Sequence, residues 1–177
     1  MGVIKTLYNK IQMHRNPIKY ARKLGVKIGE KVSFTGKIGF GTEPYLIEIG
    51  NHVLIAATTF ITHEGGHHVL VGLDPSLKNV TFGYGRIKVC DNVYIGHNCT
   101  ILRGVTIGEN TIIGACSLVN KSCEPNSVYA GVPAKRICSI DEFREKFLSE
   151  MPEYDKENYF KNKKDEVLKI VDKFPKR

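Results

Sequence analysis

Aliphatic residues recur every six positions through the middle of the chain, at Val89, Ile95, Ile101, Ile107, Ile113 and Val119. Gly96, Gly108, Gly114 and Asn120 follow four of them, and the fifth residue of each step is Val93, Cys99, Val105, Thr111, Ser117 or Cys123. A period of six fits neither a helix nor a simple strand alternation. It predicts a parallel β-helix, with one short strand and one turn per step and three steps per triangular coil. The aliphatic residue of each step points inward and stacks on its equivalent one coil later. The small fifth residue fits the tight interior. Ile49, Ile55 and Ile61 extend the pattern upstream, with Gly50 and Ala56 behind the first two.

The punctuation of the pattern divides the chain into a helical segment over residues 1–25, a β-helix domain over 26–138 and a helical extension over 139–177. Ile4, Leu7, Tyr8 and Ile11 have helical spacing. Asn16-Pro17 is a helix start, with Asn as N-cap and Pro at the first position, and Gly25 ends that helix. Steps begin loosely at Ile28-Gly29 and Ile38-Gly39 and become regular at Ile49. Residues 63–88 break the period, which resumes at Val89, so they read as a loop thrown out from one corner of a coil. Long loops inside compact domains are usually functional. The repeats stop at Pro125-Asn126. Ser139 with Glu142 is a capping box for a helix running to about Met151. A second helix is expected over roughly Lys156 to Lys173, with Phe160, Val167, Leu168 and Val171 on one face and lysines on the other.

Composition adds charge and redox context. The 177 residues carry a formal net charge of +8, which points to an acidic partner such as cofactor phosphates, a nucleic acid or an anionic lipid surface. Five cysteines without a CxxC pair read as reduced thiols of a cytosolic protein, two of them (Cys99 and Cys123) in the small inward slot. No secretion-type apolar region or transmembrane-length stretch stands out, so a cytoplasmic location is expected.

Val93-Tyr94-Ile95-Gly96, the run Ile101 to Gly114, Val119-Asn120-Lys121 and Tyr129-Ala130-Gly131-Val132-Pro133-Ala134-Lys135 resemble the hexapeptide-repeat O-acetyltransferases. The nearest branch contains maltose and galactoside acetyltransferases and enzymes that decorate bacterial surface polysaccharides. The resemblance covers roughly residues 26 to 138. It implies a left-handed parallel β-helix, a homotrimer, acetyl-CoA bound between subunits, no metal, and a histidine base near the start of the protruding loop. By position it implies cofactor contacts at Tyr94, where the family often has Trp, and at His97, Ala115, Asn120, Lys121, Lys135 and Arg136. Asn120 departs from the family's Thr at that position.

The chemistry needs such a base. An alcohol is a poor nucleophile toward a thioester, and imidazole is the side chain suited to remove its proton near neutral pH. His63 follows Ile61-Thr62, where the regular coil gives way to the loop, and is the leading candidate. His67 and His68, after the pliable Gly65-Gly66, are candidates for substrate contact or for the base itself. His14 and His52 have no motif around them and read as surface residues. No cysteine has the setting of a covalent nucleophile, and no P-loop or dinucleotide fingerprint occurs. The expected reaction is direct acetyl transfer to a sugar hydroxyl, on a free, lipid-linked or polymeric saccharide. Nucleic acid is not an expected partner; peripheral contact with a membrane-bound saccharide is. An antibiotic acceptor is an alternative. Two readings lie outside transferases: a zinc enzyme of the γ-class carbonic anhydrase type, using three of His63, His67, His68 and His97, and a non-catalytic assembly protein.

Overall fold

An inward aliphatic and a turn in every step force the backbone to bend about every six residues, and the strands follow from that. The computed structural model describes residues 15–81 and 83–174, so the expected segment at residues 4–11 lies outside them. The first coil holds β1 (Lys27–Ile28) and β2 (Ser33–Thr35). The second holds β3 (Ile47–Ile49), β4 (Leu54–Ala56) and β5 (Thr59–Ile61). The third holds β6 (Ile87–Val89), β7 (Tyr94–Ile95) and β8 (Thr100–Leu102), and the fourth β9 (Thr106–Ile107), β10 (Ile112–Ile113) and β11 (Leu118–Val119). Equivalent strands pair in parallel into three sheets: A (β1-β3-β6-β9), B (β2-β4-β7-β10) and C (β5-β8-β11). β12 (Ser127–Ala130) extends sheet B, and β13 (Lys135–Ser139) folds back antiparallel on it.

The inward columns are continuous. Ile49, Val89 and Ile107 stack in sheet A, Ile55, Ile95 and Ile113 in sheet B, and Phe60, Ile101 and Val119 in sheet C; none is more than 1% exposed. Burying each such side chain contributes roughly 1.5–3 kcal/mol. A glycine after the inward residue has a steric reason. At Gly96 a Cβ would lie 2.6 Å from the backbone nitrogen of Ala115 in the next coil.

The upstream register differs from a strict period of six. Ile61 points outward at 38% exposure, and Phe60 fills the column under Ile101. The turn Ala56-Ala57-Thr58 is one residue shorter than its equivalent Gly96-His97-Asn98-Cys99: the Asn98 N–H bonds the Ala57 carbonyl, and the Thr59 N–H bonds the Cys99 carbonyl. Ala57 supplies the left-handed turn position (φ 37°) that Asn98 supplies above it (φ 58°).

A polar ladder runs along the edge between sheets A and B. His52, Asn92, Asn110 and Asn126 all have φ between 53° and 56°. Asn tolerates this left-handed backbone better than most residues. The His52 Nδ1 meets Asn92 Oδ1 at 2.7 Å, Asn92 donates to Asn110 at 2.7 Å, and Asn110 donates to Asn126 at 2.8 Å. His52 is thus the head of a structural ladder rather than an uncommitted surface residue.

Helix α1 (Pro17–Leu24) is capped as its sequence predicts. The Asn16 side chain accepts from the Lys19 N–H, and Gly25 takes φ 104°. Ala21 is fully buried in the same core as Val26. Residues 63–88 are more ordered than a plain loop: they contain α2 (His67–Leu73) and a 3-10 turn at Pro75–Asn79. The insertion is pinned at its base by a bridge between His63 and Tyr84 and by the Gly85 N–H bonding the Thr62 carbonyl.

The chain separates into two compact units, Met1–Ile140 and Asp141–Arg177. Helix α3 (Ile140–Glu150) begins directly after Ser139. The single helix expected over 156–173 is two, α4 (Lys156–Lys161) and α5 (Lys163–Lys173), broken at Asn162 with φ −142°. Glu166 explains the break. It is 3% exposed and accepts from the Asp155 N–H at 2.9 Å and the Asn158 side chain at 2.8 Å, which folds α4 back toward α5. Phe160, Leu168 and Val171 stand exposed.

Candidate active site

The end of β5 delivers His63 to the edge between sheets C and A, at the root of the insertion. One coil below, the chain approaches the same edge through Thr42-Glu43-Pro44. His63 Nδ1 lies 2.8 Å from Glu43 Oε2. The Thr62 hydroxyl donates to that same oxygen at 2.7 Å, and the Thr42 hydroxyl donates to Oε1 at 2.6 Å. Glu43 is 13% exposed and His63 35%. The two hydroxyls, first Thr42 and then Thr62, together with the His63 ring, lower the Glu43 carboxyl from 4.5 to about 2. An ionised carboxylate at Nδ1 fixes the proton on that nitrogen and leaves the lone pair on Nε2.

Two further residues shape the edge. The Tyr84 ring packs 5.7 Å from the His63 ring, and Arg103, one coil above, pairs with Glu64 at 3.1 Å. None of Glu43, Tyr84 and Arg103 was singled out by sequence patterns. Glu43 and His63 are about one coil apart in sequence, which is the signal that links them.

The structure places the other predicted residues as follows. His67 and His68 open α2 directly after Gly65-Gly66, with His67 half-buried and His68 exposed. Asn120 and Lys121 sit on the His63 edge, two coils above. His97 and Ala115 share the opposite edge of sheet C, where the Cys116 N–H bonds the His97 carbonyl. Lys135 is exposed on β13, and the Arg136 Nε donates to Ser127 Oγ at 3.1 Å, which ties it to the hairpin. Tyr94 faces outward from sheet B, where it lines a cleft of about 510 Å³ with His52, Leu54 and Ile112. The chain therefore brings Asn120 and Lys121 to the edge of His63 and holds His97, Ala115 and Tyr94 apart from it.

Residues 86–121 match the family described as bacterial transferase hexapeptide (six repeats). The chain is 38% identical to Protein CapG of Staphylococcus aureus over 97% of its own length and 96% of that protein. The chain belongs to the hexapeptide-repeat acetyltransferase family. It is also 38% identical to the galactoside O-acetyltransferase of Escherichia coli K12, over 69% of this chain and about half (53%) of that protein. A solved structure of galactoside acetyltransferase in complex with coenzyme A superposes with a TM-score of 0.55 at 27% identity, covering 78% of this chain and 82% of that one.

Within that family frame, the three outer faces of the prism differ. Sheet A presents Lys27, Glu48, Lys88 and Thr106, with Lys88 paired to Glu48 at 3.8 Å. Sheet C presents Thr59, Ile61, Thr100, Leu102 and Leu118, between the two edges that carry the candidate residues. Among the described residues no group of three His, Cys, Asp or Glu side chains gathers as a metal site, and no helix is long and apolar enough to cross a membrane.

Proposed function

We propose that the protein is a left-handed β-helical homotrimer that transfers the acetyl group of acetyl-CoA to a hydroxyl of a saccharide. The observation that carries this reading is the Glu43–His63 pair at the root of the insertion. Nε2 of His63 removes the hydroxyl proton as the oxygen attacks the thioester carbonyl. The tetrahedral intermediate collapses with departure of the CoA thiolate, which takes up a proton. Glu43 stabilises the imidazolium formed in between and keeps the ring in the useful tautomer. Backbone N–H groups along the edge stabilise the oxyanion.

The two edges of sheet C argue for assembly. At about 3.3 Å per extended residue they are roughly 15 to 20 Å apart, too far for one thioester to touch both. Packing one copy's His97–Ala115 edge near the next copy's His63 edge makes a groove with two walls. In that groove Ala115 leaves room for the thin pantetheine arm. Lys121, Lys135 and Arg136 hold phosphates, with Asn120 beside them, and Tyr94 and His97 take peripheral positions. His67 and His68 face the acceptor. The exposed apolar side chains of α2, Val69, Leu70 and Leu73, suit a surface that a neighbouring copy covers. The saccharide acceptor is supported by the likeness to galactoside O-acetyltransferase.

The test is acetyl transfer from acetyl-CoA to a saccharide panel, read by mass spectrometry, with light scattering for the trimer. His63→Ala is expected to keep the fold and acetyl-CoA binding and to lose roughly 100-fold or more in turnover. His67→Ala and His68→Ala are expected to stay within a few-fold of wild type. Normal turnover in His63→Ala, with loss in either neighbour, reassigns the base.

A further inference from the structure

The net charge of +8 is not spread along the chain. Residues 1–37 hold nine Lys or Arg against a single acid, Glu30, while the remaining 140 residues hold 17 basic and 17 acidic side chains. The lysine-rich unit Asp141–Arg177 contributes nothing, with ten of each sign. All of the excess therefore belongs to one end of the prism and the sequence leading into it.

That end is built to display the charge. α1 packs at the first coil with Ala21 buried and its basic residues outward. Arg15, Lys19, Lys23, Lys27, Lys31 and Lys37 are all exposed. They are distributed over α1, over the outer side of sheet A, over the A–B edge at the left-handed Lys31 and beyond β2, so positive charge follows the first coil along sheets A and B, while its C–A edge carries Glu43, paired with His63. Arg22 is committed to the fold through the Ile28 and Gly29 carbonyls at 3.0 and 2.8 Å. Apolar side chains accompany the charge. Leu24 is 38% exposed at the end of α1, and Tyr45, 59% exposed, packs against Gly25 directly after it.

We infer that this end of the prism docks on an anionic lipid bilayer surface. A bilayer interface selects a basic surface together with apolar residues, because headgroups attract the charge and the acyl boundary takes the apolar side chains. A nucleic acid backbone needs only the charge. The candidate base is close to this end. His63 and Glu43 belong to the first two coils, so they lie within two coil rises, roughly 10 Å, of the basic residues of the first coil. Docking in this way holds the edge that carries His63 near the membrane plane. The inference does not rest on the acetyl-transfer reading, since membrane docking is measured without turnover.

The experiment is co-sedimentation of the full chain with vesicles of phosphatidylcholine alone and of phosphatidylcholine with 30% phosphatidylglycerol. Binding is expected to the anionic vesicles only, and to disappear near 1 M salt, where the screening length falls to about 3 Å. Lys19→Glu, Lys27→Glu and Lys37→Glu combined should lower the partition coefficient about 100-fold or more, at roughly fivefold per surface cation. Lys156→Glu, Lys161→Glu and Lys164→Glu combined make the same change in net charge at the neutral unit and should move it less than about threefold. Circular dichroism melts check that both variants fold. Four results overturn the inference: equal binding to neutral vesicles, no binding to anionic ones, equal loss in the two variants, or tighter binding to a 20-base-pair DNA duplex than to the anionic vesicles.

Discussion

Substituting Phe60 and Ile61 separately tests whether the coil is one residue short at Ala57. Phe60 is fully buried in the sheet C column and stacks parallel to Phe40 at 6.0 Å, whereas Ile61 is 38% exposed on the outer face. Phe60→Ala removes a ring from a column that cannot collapse, because Ile101 above it is held by its own strand pairing. The expected cost is about 3–5 kcal/mol, the range for a large core aromatic. Ile61→Ala removes three carbons worth about 0.8 kcal/mol each when fully buried. With Ile61 more than a third exposed and no closed cavity left behind, the cost should be about 1.5 kcal/mol or less. Urea denaturation at one fixed protein concentration reads both, so that any assembly bears equally on the two variants. If Ile61→Ala costs as much as Phe60→Ala, the strict six-residue register is correct and the slipped one is wrong.

Other perturbations probe the ladder, the acid–base pair and the assembly. Asn110→Ala removes both an acceptor and a donor from the ladder and leaves a β-carbon at φ 53° without compensation; a loss of about 1–3 kcal/mol is expected in the same denaturation assay. Glu43 is ordinarily a group of pKa 4.5 and is held at about 2. Because its folded value is the lower one, its stabilising contribution is present above pH 4.5 and disappears as the pH falls through 2. The melting temperatures of wild type and Glu43→Gln should converge as the pH falls from 4.5 to 2; a difference unchanged over that range denies Glu43 its depressed value. If the groove lies between copies, His63→Ala and Ala115→Trp protomers, each inactive alone, should complement when refolded together. Random mixing in a closed ring gives about a quarter of the sites a good base and a good opposite edge, and no recovery at all places both edges in one protomer's site.

The sequence reveals the interior of this fold far better than its edges. Inward positions obey one rule, an aliphatic side chain every six residues, because each must fill the same slot one coil later. The turn positions obey no such rule. Gly36, Ala57, Asn98 and Cys116 all occupy left-handed corners on one edge, so nothing marks where a corner has lost a residue. Phe60 and Ile61 are adjacent and both apolar, and either fills the slot when judged by type. The asparagine ladder was partly legible, since Asn92 and Asn110 are 18 residues, one full coil, apart. His52 lies 40 residues before Asn92 because the insertion intervenes, which hides its place at the head. The break at Asn162 was illegible for another reason: Glu166 reads as a solvated lysine-partner on a helix, and only the fold shows it buried under donors from Asp155 and Asn158.

Glu43 shows how the same geometry makes chemistry. A parallel β-helix turns sequence distance into vertical stacking, so a residue about one coil before any edge position becomes its neighbour. His63 is a candidate base in the sequence because a loop begins there and because imidazole suits the task. Its partner has no local motif; Thr42-Glu43-Pro44 reads as a turn. Once the coil is wound, Thr42, Thr62 and His63 all converge on one carboxylate. Two hydroxyls and an imidazole are more donors than a solvated surface glutamate collects, and they hold it charged beside the His63 ring, as the proposed base requires. In a coil of this kind, the place to look for a base's partner is therefore the residue about one coil away along the same edge, whatever the local sequence there suggests.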